Sequence, residues 1–127
     1  MTENSQPLED ILGTAIVEYT PNAIKFSGLS LDKLEQLLTQ SYTTANTYYN
    51  AAPTITKFIE FGKRCVDRGA VATFDGVAFT IGDANVAIDG IKVVGVKDLD
   101  FAGEFVKFTF SCDEIEVSSQ YLFAWWD

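Results

Sequence analysis

Histidine is missing altogether from this chain of 127 residues. Its absence removes the Ser-His-Asp and Cys-His nucleophilic arrangements and the commonest zinc ligand. Cysteine occurs only twice, as Cys65 and Cys112, so no site built from four cysteine and histidine ligands can be assembled. The two thiols fall in separate predicted elements and read as reduced core residues. The glycine-rich phosphate loops and the GxSxG elbow are also absent, which leaves a nucleotide cradle or a serine nucleophile without support. No apolar run reaches the length that spans a bilayer. The opening MTENSQPLED has neither a basic nor an apolar signal-peptide region, so the expected location is cytoplasmic.

Positive charge is scarce. Nine Lys and Arg face eighteen Asp and Glu, for a net charge of −9. Phosphate contacts need clustered cations, so direct binding to nucleic acid or to an anionic membrane is not expected. The imbalance is local. Residues 30–69 carry four acids and five bases, whereas residues 98–127 carry Asp98, Asp100, Glu104, Asp113, Glu114, Glu116 and Asp127 against Lys107 alone. Such an excess keeps a protein soluble, and it also matches a basic partner surface.

Hydrophobic residues make up 47% of the chain, enough for one domain with one core. Pro21-Asn22 between two β-rich runs predicts a hairpin over residues 13–27. Ser30 reads as an N-cap, followed by Leu31, Leu34, Leu38, Tyr42, Ala45 and Tyr49 at helical spacing, which predicts a helix over 30–50. Pro53 breaks it. A second helix is predicted over 54–68, with a buried stripe of Ile55, Phe58, Ile59, Gly62 and Val66 and with Gly69 past its end. Asp75-Gly76 and Asp89-Gly90 each sit between alternating apolar arms, the signal of two tight hairpins joined by a turn at Gly82-Asp83-Ala84. The stretch KDLDFAGE reads as a loop, and EFVKFTFSC as a strand with Val106, Phe108, Phe110 and Cys112 on one face. The expected fold is therefore α+β: a mostly antiparallel sheet of short strands with the two helices packed on one face.

The last seven residues, YLFAWWD, are apolar on both faces of a strand: Tyr121, Phe123 and Trp125 on one, Leu122, Ala124 and Trp126 on the other. Two helices do not obviously cover both faces, so one tryptophan is expected to be covered by the N-terminal arm or by another chain. Tyr48, off the helical stripe, is a further contact candidate. The carboxylates around Asp83 and Asp89 lack the spacing of a calcium loop. The adjacent acids near 98–100 and 113–116 read as solvated surface rather than a catalytic pair.

These residues point to a non-catalytic protein with no cofactor, binding through Asp98, Asp100, Asp113, Glu114, Glu116, Tyr48, Trp125 and Trp126. The first expectation is an inhibitor of a protein partner with a basic, nucleic-acid-binding surface, as among phage anti-defence products and immunity proteins. The alternatives are a structural subunit of a phage particle or homo-oligomer, and a small-ligand-binding domain.

Overall fold

The structure, a computed structural model, describes residues 7–80 and 85–127. The predicted turn at Gly82-Asp83-Ala84 lies outside them. Six strands form one antiparallel sheet in the order β1-β2-β3-β4-β6-β5: β1 Ile16–Thr20, β2 Ala23–Ser30, β3 Val71–Phe79, β4 Asn85–Val94, β5 Glu114–Val117 and β6 Tyr121–Trp125. The helices α1 Leu8–Leu12, α2 Leu31–Thr39, α3 Ile55–Asp67 and α4 Leu99–Phe108 send their buried side chains into one continuous core with the sheet's inward residues. The fold is α+β with an antiparallel sheet, as the sequence predicts.

The first hairpin turns at Pro21-Asn22, with Thr20 opposite Ala23. Its first arm is shorter than expected, because Pro7 opens the helical turn α1 and a 3-10 turn at Gly13–Ala15 precedes β1. Ser30 caps α2, its Oγ accepting from the Lys33 N–H at 3.2 Å. This helix stops at Thr39 instead of residue 50. Ser41 takes a left-handed φ of 66°, and residues 40–54 are rich in Thr, Asn and Tyr, which are weak helix formers. Their backbone is spoken for elsewhere. The Tyr42 carbonyl accepts from Val86 N–H, and the Thr47 and Ala45 carbonyls accept from Ile55 and Thr56 N–H. The segment thus links the sheet to the start of α3.

Helix α3 matches its sequence signals. Thr54 Oγ1 caps Lys57 N–H at 3.3 Å, and Gly69 follows the end with a φ of 75°, which only glycine adopts freely. Its stripe is rotated from the predicted one: Phe61 and Cys65 are buried, and Val66 is 61% exposed. The cause is α4, which occupies residues predicted as loop and strand. Asp98 Oδ1 caps the Phe101 N–H at 2.8 Å. Phe101, Phe105 and Phe108 then recur at steps of four and three on one helical face. Phe61 stacks on Phe101 and Phe108 at centroid distances of 5.5 and 4.4 Å. Val106 and Phe110, assigned to a buried strand face, are exposed instead.

Both Asp-Gly pairs lie inside long strands rather than at hairpin turns. Asp75 pairs with Gly90, and the register shifts beside it, between Asp75 and Gly76. A Cβ on Gly76 would come 2.3 Å from the Ala87 carbonyl oxygen and 2.7 Å from the Phe26 ring, so glycine is there for close approach. Asp75 has a different task. Its Oδ1 accepts from Ser27 Oγ at 2.8 Å and from Gly28 N–H at 3.0 Å, holding the irregularity where β2 shifts register.

No helix among the described residues is long and apolar enough to cross a membrane. Both cysteines are free thiols; Cys65 is fully buried, and burial pushes its pKa up to about 12.

Candidate functional site: the open face of the sheet

Strand β6 sorts its aromatic residues by alternation. Leu122 and Ala124 point into the core and face Val93 and Ile91 of β4. Trp126 continues that side at 2% exposure. It meets Phe58 edge-on at 5.6 Å, and its indole N–H donates to Ser111 Oγ at 3.1 Å. Trp126, expected as a partner anchor, is therefore a core residue. Among the described residues four helices rather than two fill the covered face and enclose it.

Tyr121, Phe123 and Trp125 point the other way, toward the face that carries no helix among the described residues. They are half-buried, and the Phe123 and Trp125 rings touch at a centroid distance of 5.1 Å. Lys92, opposite Phe123, lies over the Tyr121 ring at 4.8 Å. Tyr121 donates its hydroxyl to Glu116 at 2.7 Å, an acceptor bond that raises the phenol pKa. A groove of about 470 Å³ runs beside this strip, bounded by Ser27, Thr73, Asp75, Glu116 and Phe123. A second depression of about 400 Å³ brings Asp75, Asp89, Asp127 and Tyr49 to Trp125. Partial burial, with Asp75 nearby, raises the Asp89 pKa above the usual carboxylate value.

The predicted residues separate into four places. Glu114 and Glu116 stand on the edge strand β5, opposite Trp125 and Phe123, so these carboxylates and the aromatic strip form one surface. Asp113 adjoins them, its Oδ2 accepting from Asp127 N–H at 2.7 Å. Asp98 and Asp100 lie in the helical layer at the start of α4. There Asp98 both caps the helix and pairs with Arg68 at 3.1 Å, and the capping bond and the guanidinium lower its pKa. Tyr48 is 62% exposed beside the first turn of α3, away from the strip. Trp126 is in the core.

Sequence reasoning missed Asp75, Asp89, Tyr121 and Phe123. A signal was present: the apolar alternation runs through Asp75-Gly76 without a break, and across Asp89-Gly90 it slips by one residue, from Val86 and Ile88 to Ile91 and Val93, as at a strand irregularity.

The assembled surface offers rings for packing and carboxylates for charge and hydrogen bonding. Ser27 donates to Asp75 but has no imidazole to activate it. No cluster of three or more metal-ligating side chains occurs among the described residues. Comparison with family models, with curated proteins and with solved structures finds no match for this chain.

Proposed function

We propose that this chain is a non-catalytic binding module whose open sheet face occupies a basic surface of a partner protein and thereby inhibits it. The observation that carries the reading is the half-exposed Phe123–Trp125 pair, bordered by Glu114 and Glu116 on the neighbouring strand. Aromatic rings contribute affinity when a partner desolvates them. Flanking carboxylates orient a cationic surface and speed its encounter. A basic surface that normally holds nucleic acid fits this description, and small anionic inhibitors of phage anti-defence or immunity type work inside cells by blocking such surfaces. The test is capture of partners from the native source by the wild type and by a Glu114→Lys/Glu116→Lys variant, at low and high salt. The reading expects a defined basic protein that the variant fails to retain and that salt releases. Retention by the variant at unchanged salt sensitivity would remove the acidic edge from the interface.

A second reading rests on β5. All four of its residues are exposed, Ile115 and Val117 among them, and one side of its backbone has no strand beside it among the described residues. Such an edge can pair with a second copy. The two glutamates oppose that pairing, and size-exclusion chromatography at several concentrations and ionic strengths separates a self-assembling subunit from a monomeric inhibitor.

A further inference from the structure

A groove of about 560 Å³ opens between residues 48–54, the first turn of α3 and the end of α4. It lies apart from the acidic open face, and its chemistry is opposite in sign. Tyr48, Pro53, Phe108 and Phe110 form its walls, and Lys57 and Lys107 stand at it. No carboxylate lines it, in a chain with twice as many acids as bases.

Lys25, Lys63, Arg64 and Arg68 each pair with a carboxylate. Lys57 and Lys107 belong, with Lys33, Lys92 and Lys97, to the cations without a carboxylate partner among the described residues. Lys107 lies in the last turn of α4, where it offsets the helix dipole. Lys57 lies in the first turn of α3, where the dipole opposes a cation and no acidic side chain compensates it. Lys57 is thus the less compensated of the two charges, and Lys107 adds a second ammonium at the same opening.

The walls are as informative as the charge. Phe110 is 86% exposed and Tyr48 62%, so two flat rings stand in water at one opening. The Tyr48 hydroxyl has no hydrogen-bond partner among the described residues. The helix amides are not available as an anion cradle: Ile55, Thr56 and Lys57 N–H already donate to Thr47 O, Ala45 O and Thr54 Oγ1. An anion here is held by the mobile ammonium groups, which bind as point charges, and its body packs on the rings.

From this geometry we infer that the groove binds a small aromatic anion, a flat apolar body bearing one carboxylate, sulfonate or phosphate group. The volume falls in the range of small-molecule sites. Ring contact and charge complementarity select together, so a neutral molecule of the same shape gains only the first.

The test uses the full chain with two fluorescent probes, anilinonaphthalene sulfonate and its uncharged counterpart phenylnaphthylamine. The folded wild type should bind the sulfonate at one site per chain and more tightly than the neutral probe. Lys57→Gln/Lys107→Gln should weaken the sulfonate about tenfold or more and leave the neutral probe nearly unchanged. Phe110→Ala should weaken both. Glu114→Lys/Glu116→Lys should not weaken the sulfonate, which separates this site from the proposed partner face. These are exposed positions, and glutamine at 57 suits a helix whose cap is Thr54, so melting temperatures should hold. Sulfonate binding indifferent to the lysine pair, or absent from the folded chain, overturns the inference and leaves the partner-binding reading untouched.

Discussion

Trp125 and Trp126 are adjacent in the chain and meet opposite environments. Trp126 lies beneath the helices at 2% exposure, against Phe58 and with its N–H satisfied by Ser111. Trp125 lies on the uncovered face, touching Phe123 and bordered by carboxylates. The two sides of β6 therefore carry similar rings in different roles. On the covered side, rings pack on one another edge-on, tilted or stacked, with the Arg68 guanidinium over Phe101 as the one charged neighbour given among the described residues, and their value is stability. On the open side, rings alternate with Lys92, Glu116 and Asp75, a mixture that a core would not tolerate but a contact surface uses. Hydrophobicity alone does not distinguish core from interface; the neighbours across the sheet do.

The largest effect that would sharpen this contrast is on the covered side. Phe58 is fully buried and makes edge-on contacts with Phe74, Phe108 and Trp126. Phe58→Ala and Trp126→Ala should each cost about 3–5 kcal/mol in denaturant unfolding. A near-native midpoint for either variant would mean that the helical layer is not packed as described. Next comes Gly76→Ala. An added methyl has to displace Phe26 or the strand carrying Ala87, for a loss of about 1–3 kcal/mol. A turn glycine with room around it would show no such steric penalty, so this variant also tests the reassignment of Asp75-Gly76 from turn to strand.

That reassignment shows how far local pattern carries. The Pro21-Asn22 turn, the Ser30 and Thr54 caps, the Gly69 stop and most of the α3 stripe follow from chemistry within a few residues, and they are legible in the sequence. Helix α4 is not. Val106, Phe108, Phe110 and Cys112 alternate with Lys107, Thr109 and Ser111 like a strand, while the helical spacing of Phe101, Phe105 and Phe108 runs through the same stretch. The two periods compete, and the Asp98 cap with the stacking of Phe61 favours the helix. The C-terminal half of the predicted 30–50 helix fails for the converse reason, because its carbonyls bond to β4 and α3 instead of to one another. In the candidate site, Glu114, Glu116 and Trp125 are visible as acids and aromatics. Asp75 and Asp89 join them only through strand pairings that no local window contains.

A smaller effect lies on the open side. The Asp89 pKa is raised, first by burial and then by Asp75, with Asp127 adding to the effect and Lys25 opposing it. A carboxyl easier to protonate in the folded state favours folding at low pH. That advantage is lost as pH rises from the unfolded value near 3.8 through the raised folded one. Asp89→Asn should therefore be more stable than wild type at neutral pH, with the gain vanishing in acid. Urea unfolding of both proteins across that range checks it. A gain independent of pH would assign the effect to packing.

The smallest expected effect on folding is paired with the largest on binding, and it tests the central contrast most directly: Trp125→Ala, read for melting temperature and for affinity toward the captured partner in the same preparation. The account predicts a melting temperature close to wild type and an affinity loss of about 2 kcal/mol, roughly thirtyfold in Kd. A collapsed melting transition with affinity preserved in the remaining folded fraction would contradict it, placing Trp125 with Trp126 as structural support and leaving the open face without a binding role.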